Sequence, residues 1–193
     1  MCQQERNHKS VESLELSLDR INSWISNCDQ KAGFLLATIG IVLAILFATD
    51  FVGGVKKDII EPFLCYLDKP EEYRFSLVRF VFFIVLMSSV TICVMSAIFA
   101  LLAISATVDS KKQRKTNTTL PTKSYLFFAS ISKYDFETYI KFEEVSYVDD
   151  LLSQIYINSS ICKKKFDYYK VALGYFYAVV IIIAVMYVLY LFV

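Results

Sequence analysis

The chain has 193 residues, 56% of them hydrophobic, with a net charge of +1 and only five glycines and three prolines. A soluble domain is about 45–50% apolar, so the excess has to sit in lipid, which excludes an ordinary soluble enzyme domain. The near-zero net charge says nothing about partners; the distribution of charge does. Five cysteines (Cys2, Cys28, Cys65, Cys93 and Cys162) form no C-x-x-C pair, which excludes a zinc knuckle or thioredoxin-like site, and no disulfide is expected. The polar start MCQQERNHKS followed by a helical pattern predicts no cleavable signal peptide.

From Val11 the apolar residues fall at Val11, Leu14, Leu18, Ile21, Ile25, Cys28 and Ala32, a heptad seam with Glu12, Glu15, Asp19 and Arg20 on the wet face. Asp29-Gln30-Lys31 is the one polar break before Ala32–Thr49, 18 residues without a charge. One continuous helix is predicted over roughly residues 9 to 50, first a cytosolic stalk and then a membrane span. Gly33, Ala37, Gly40, Ala44 and Ala48 form a stripe of small residues that would let another helix approach closely in lipid, although such residues are also common in membrane helices.

Residues 50 to 79 read as a connector, with Gly53-Gly54 expected to form a turn. Phe80–Val108 is a second span, 29 uncharged residues, long enough to be tilted or to project. Its hydroxyls, from Ser88 to Thr107, are expected to bond back to their own helix or to a neighbour, with a pore lining as the alternative. Lys111-Lys112-Gln113-Arg114-Lys115 follows and reads as a cytoplasmic anchor rather than a nucleic-acid patch. A short helix is predicted from Ser132 to about Val145. A long one is predicted from near Tyr147, with its seam at Val148, Leu152, Ile155, Ser159, Cys162, Phe166, Tyr169, Leu173, Phe176 and Val180. It runs into Val171–Val193, 23 residues without a charge, flanked by lysines and tyrosines that suit the headgroup levels. At about 1.5 Å per residue this crosses a hydrocarbon core of roughly 30 Å.

The fold class predicted is therefore an all-α integral membrane protein with three transmembrane helices, the first and last extended by stalks. The divisions are a cytosolic stalk over 1–31, spans over 32–52, 80–108 and 171–193, a periplasmic connector over 53–79, and a cytosolic helical region with the second stalk over 109–170. Fifteen lysines and arginines fall on the side of the N-terminus and the second connector, against five in the first connector. The positive-inside rule puts the larger group in the cytoplasm, so the two stalks can lie parallel, seam to seam.

No catalytic constellation emerges. His8 has no companion, the carboxylates Glu137, Glu143, Glu144, Asp149 and Asp150 read as solvated helix surface, and Trp24 reads as packing or interfacial. Asp29 and Lys31 stand at the membrane boundary. They cannot pair with each other, being two apart on a helix, but Lys163 to Lys170 lie at the right depth to meet Asp29, ordinary headgroup anchoring being the alternative.

The sequence resembles the transmembrane effectors of Pycsar antiphage defence. The resemblance rests on Asp29-x-Lys31-Ala32-Gly33 with Leu35-Leu36 and Gly40, and on Tyr125-Leu126-Phe127-Phe128 with Ile131. It extends to Leu151-Leu152-x-Gln154-Ile155-Tyr156, followed by Lys165 and Tyr168. It implies a bacterial inner-membrane protein, silent until infection and then impairing the membrane, triggered by a cyclic pyrimidine nucleotide that a cyclase makes. Many such effectors carry a separate cyclic-nucleotide-binding domain, for which this chain has neither the length nor the glycine-rich phosphate cassette. Either its small cytosolic region senses the signal or a protein partner does.

The function expected is a signal-activated, non-enzymatic effector that oligomerises with copies of itself and disrupts the membrane; the alternative is a membrane scaffold recruiting a cytosolic partner. The candidate gating residues are Asp29, Lys31, Ala32, Gly33 and Gly40. The candidate sensing or packing residues are Phe127, Phe128, Gln154, Tyr156, Lys165 and Tyr168. No cofactor, metal or nucleic-acid polymer is expected; the bilayer is the obligate partner, and a cyclic nucleotide is the candidate activating ligand.

Overall fold

The computed structural model describes residues 2–48, 50–68, 77–107, 124, 126, 131–132, 135–140 and 144–190. Among them the architecture is wholly helical: α1 (Cys2–Ala48), α2 (Asp50–Val55), a π-helical turn (Lys56–Ile60), α3 (Glu61–Asp68), α4 (Leu77–Ser105), α5 (Phe136–Ile140) and α6 (Glu144–Tyr190). Three of these, α1, α4 and α6, are long and apolar enough to cross a membrane. Phe127 and Phe128 lie outside the described residues, as do the basic run at 111–115 and the side chain of His8.

Helix α1 has no proline to stop it and no glycine before Gly33; it begins at Cys2, earlier than expected, and ends at Ala48 after 47 residues. The region after it is not the turn expected at Gly53-Gly54. Both glycines are helical, and no glycine among the described residues has a positive φ. The π turn follows from Pro62, which has no N–H to donate and whose ring crowds the carbonyl four residues back. A wider turn just ahead of it, with the Glu61 N–H bonding the Lys56 carbonyl, lets the helical path continue. At the other end of the second span, α4 stops at Ser105 rather than near Val108, and Ala106 and Thr107 are irregular. Of the short helix the described residues show Phe136–Ile140, where the Tyr139 N–H bonds the Asp135 carbonyl.

The chain divides into two compact units. The apolar unit comprises Lys31–Leu102 and Tyr168–Val193. Its centre is Leu35, Ile39, Ala100 and Ala172, with Leu36, Ala97, Leu173 and Phe176 against them. Ala100 and Ala172 are completely buried, and Ser96, one turn before Ala100, donates to the Ala172 carbonyl at 2.9 Å. Small residues at this contact let α4 and α6 come close enough for a side chain of one to reach the backbone of the other. A second cluster joins Val55, Phe82 and Met186, and Phe63 stacks on Phe83 with ring centroids 5.0 Å apart.

The stripe on α1 behaves differently. Ala37, Gly40, Ala44 and Ala48 are exposed, and a Cβ added at Gly33 or Gly40 would meet nothing within 4 Å. Among the described residues nothing packs closely against this stripe. The hydroxyls follow expectation: Ser88, Ser89 and Thr91 bond back to carbonyls of their own helix, and Ser96 bonds a neighbour.

The polar unit comprises Met1–Gln30 and Ala103–Asp167. Here α1 packs along its heptad seam as the sequence implies, with Ile21 and Cys28 buried and Val11, Leu14, Leu18 and Ile25 half-buried. The seam of α6 follows the apolar pattern only in part: Cys162 is buried and Val148, Ile155 and Phe166 are half-buried. Leu152 and Ser159 are exposed, while Asp150, Leu151, Ser153, Gln154, Ile157 and Lys165 are buried. A shift of one residue turns a helix face by about 100°. Polar residues share the true inner face, where hydropathy cannot find them.

Candidate functional site

In the polar unit α1 and α6 run parallel and are joined by three polar cross-links. The Tyr147 hydroxyl donates to Glu15 Oε1, the Asn158 amide donates to Asn22 Oδ1 at 2.9 Å, and Lys165 Nζ meets Asp29 Oδ1 at 2.6 Å. Glu15, Asn22 and Asp29 recur every seven residues, each directly after a seam position (Leu14, Ile21, Cys28). That column flanks a helix–helix seam, where polar pairs set partner and register.

The third cross-link is the most elaborate. The Lys165 side chain is 7% exposed and that of Asp29 37%. A buried ammonium is tolerated only when its protons are met, and all three are. Besides Asp29, Nζ donates to the Ala103 carbonyl at 3.2 Å and the Ile104 carbonyl at 2.5 Å. These oxygens belong to the last turn of α4, whose carbonyls have no partner within their own helix and carry the negative end of its dipole. Lys164 extends the arrangement by donating to the Thr107 carbonyl at 3.1 Å. One lysine thus ties α1, α6 and the end of α4 together, resolving in favour of Lys165 the range of lysines the sequence offered to Asp29.

A second buried polar cluster sits about four turns earlier on α6, built on Asp150, which is 1% exposed. The expectation that this carboxylate is solvated helix surface is therefore incorrect. Its Oδ2 accepts from the Ser124 hydroxyl and the Leu126 N–H, both at 2.9 Å, and its Oδ1 accepts from Ser153 at 3.2 Å. Gln154 donates to the Ser124 oxygen at 2.9 Å. Asp150 and Gln154, on adjacent turns of α6, hold Ser124 and Leu126 with backbone as well as side-chain bonds. No local pattern signals this cluster, because the partners are 24 to 30 positions away.

The residues singled out from sequence thus divide. Asp29 and Lys165 come together. Gln154 joins the Asp150 cluster, eleven positions before Lys165, roughly 16 Å along one helix, so the two do not share a pocket. Tyr156 is exposed, and Tyr168 packs beside Phe99 with centroids 6.2 Å apart in the apolar unit. Lys31 is exposed, Ala32 buried, and Gly33 and Gly40 have open space around them. Tyr147, Asn22, Asn158, Ser124 and Asp150 are the residues sequence reasoning missed. For Asn22 the heptad column on α1 was the available signal.

Among the described residues no group of three or more metal-ligating side chains assembles. Residues 69–193 match the family described as the Pycsar effector protein domain. Over 180 residues, covering 91% of this chain and 90% of the relative, the sequence is 30% identical to the Pycsar effector protein GmPycTM of Gulbenkiania mobilis. No solved structure matches.

Proposed function

Since this chain belongs to the family of Pycsar effector proteins, we propose that it is a membrane effector of antiphage defence, held inactive until a cyclic nucleotide signal releases it to self-associate and permeabilise the inner membrane. The observation that carries this reading is the make-up of α1 and α6. Each is one helix of 47 residues, and each contributes its first part to the polar unit and its remainder to the apolar unit. The residues that pair through Glu15, Asn22 and Asp29 therefore lie on the same helices that enter the bilayer. Packed elements of this kind have discrete alternative arrangements rather than bending continuously, so a signal that loosens one pairing can select another.

In this reading the polar unit lies in the cytoplasm with the N-terminus, and the C-terminus is periplasmic, as the positive-inside rule requires of the lysine and arginine distribution. The Lys165 junction is the resting lock, because it fixes three helices at the base of the spans. The exposed stripe Ala37–Gly40–Ala44 is the face offered to other copies, since small residues allow close approach in lipid and the described residues leave it uncovered. The effector acts without catalysis.

Dye leakage from liposomes holding the purified full chain tests the proposal, with cyclic mononucleotides and cyclic oligonucleotides added one at a time. Leakage with one nucleotide alone supports both the effector role and direct sensing by this chain. Silence with every nucleotide rejects direct sensing. Continued silence after a defence-system partner is added would leave a scaffold and sink the effector reading.

A further inference from the structure

Within the apolar unit, α1, α4 and α6 leave a half-open cavity of about 250 Å³. Ile39 and Val42 line it from α1, Met87 and Val90 from α4, and Val180 and Met186 from α6. Ser89 and Ser96 also reach it, but their protons are committed to carbonyls, Ser89 to Leu86 at 2.7 Å and Ser96 to Ala172 at 2.9 Å. None of the lining side chains carries a charge, an amide or an imidazole. A water molecule needs two to four polar partners, and an ion needs more, so this cavity holds neither. Apolar cavities of roughly 150 Å³ stay dry and take up small hydrocarbons, and this one is larger.

We propose that the cavity is a binding site for one acyl chain of a bilayer phospholipid. Its lining helices are those apolar enough to cross a membrane, so the medium at its mouth is hydrocarbon chain. The mouth is open: Val90 is 52% exposed and Val180 43%. The shape also selects the occupant. A helix from a second copy is about 10–12 Å across and cannot enter, whereas a single flexible chain can. An empty cavity forfeits the dispersion contacts of every atom that lines it, and a chain drawn from the surrounding lipid restores them without desolvating any polar group. The site is independent of the signal that activates the protein, and its test requires none.

The full chain, placed in nanodiscs of phosphatidylethanolamine and phosphatidylglycerol carrying a diazirine midway along one acyl chain, is irradiated and its labelled residues are mapped. The expected result is labelling concentrated at Val42, Val90 and Val180 over Ile41, Val94 and Val185, which are exposed but do not line the cavity. Combining Val90→Phe with Val180→Phe fills the space, and Val42 then loses its label while Ile41 keeps it. Even labelling of the two sets in the unaltered protein overturns the proposal, whether or not the filled variant folds. So does labelling at Val42 that survives filling.

Discussion

Lys165 places its ammonium 2.6 Å from the Asp29 carboxylate, 136 residues earlier in the chain, and with the same group reaches the Ala103 and Ile104 carbonyls. The contact is an ion pair and a helix C-terminal cap at once, and the two roles make different demands on a substitution. Lys165→Met leaves two α4 carbonyls and a carboxylate that water can still reach (Asp29 is 37% exposed) without their donor, and a loss of about 1–3 kcal/mol is expected. The exchange Asp29→Lys with Lys165→Asp preserves the pair but sets an acceptor against the α4 carbonyls. It should remain nearly as destabilised as Lys165→Met when melting is followed in nanodiscs. Recovery to wild-type stability would mean that the α4 contacts contribute little.

The Asp150 cluster makes a more local prediction. Asp150→Ala removes the Oδ2 acceptor shared by the Ser124 hydroxyl and the Leu126 N–H and leaves both without their carboxylate partner. A buried donor left unmet costs about 1–3 kcal/mol. Hydrogen exchange at the Leu126 amide should accelerate, whereas the same measurement in Asp149→Ala should not change, since Asp149 is exposed. Unchanged exchange at Leu126 in the Asp150 variant would show that other contacts hold the segment.

These two sites mark the limit of what was legible in the sequence. The three long apolar helices were legible, because long runs free of charge are at home only in lipid or a deep core. The α1 seam was legible because its positions are apolar residues at heptad spacing. The inner face of α6 was not. In the polar unit it mixes Leu151, Ile157 and Cys162 with Asp150, Gln154 and Lys165, and the burial of those three polar residues depends on partners supplied by distant segments. In the apolar unit the failure has another cause: nearly every position is hydrophobic there, so nothing distinguishes buried Ala172 and Val179 from Leu173 and Val180 beside them. Small residues do bring helices together within the chain, but at a contact the sequence reading did not single out. It is Ser96 and Ala100 against Ala172, not the α1 glycines, that bring helices together within the chain.

That reassignment is testable. Ser96→Ala deletes a hydrogen bond between helices in lipid, a loss of about 0.6–1.7 kcal/mol. Thr91→Ala deletes only a bond back to the Met87 carbonyl and should stay within about 0.5 kcal/mol of the parent. Gly40→Ala meets open space and removes a glycine from a helix, so the isolated chain should gain up to about 1 kcal/mol. Chemical or thermal unfolding in detergent at low protein concentration gives all three values. A destabilised Gly40→Ala under conditions where the protein is monomeric would show that the stripe is covered within the chain after all.

The Tyr147–Glu15 cross-link carries a pH signature. The phenol donates to the Glu15 carboxylate, and that hydrogen bond, followed by burial and the repulsion a phenolate would feel from Glu15, pushes the tyrosine up to about 12 from an ordinary value of 10. The neutral phenol is therefore the form the folded protein favours. Its contribution is complete below pH 10, where both folded and unfolded chains hold the proton, and declines as pH rises towards 12. Phenolate absorbance, titrated as the difference between the parent and Tyr147→Phe, should show the missing tyrosine ionising late. Glu15→Gln removes the charge and should bring that step down, and the parent's stability advantage over Tyr147→Phe should shrink between pH 10 and 12. A Tyr147 that ionises near pH 10 in the folded protein would mean that the α1–α6 contact is not formed at this level of the pair.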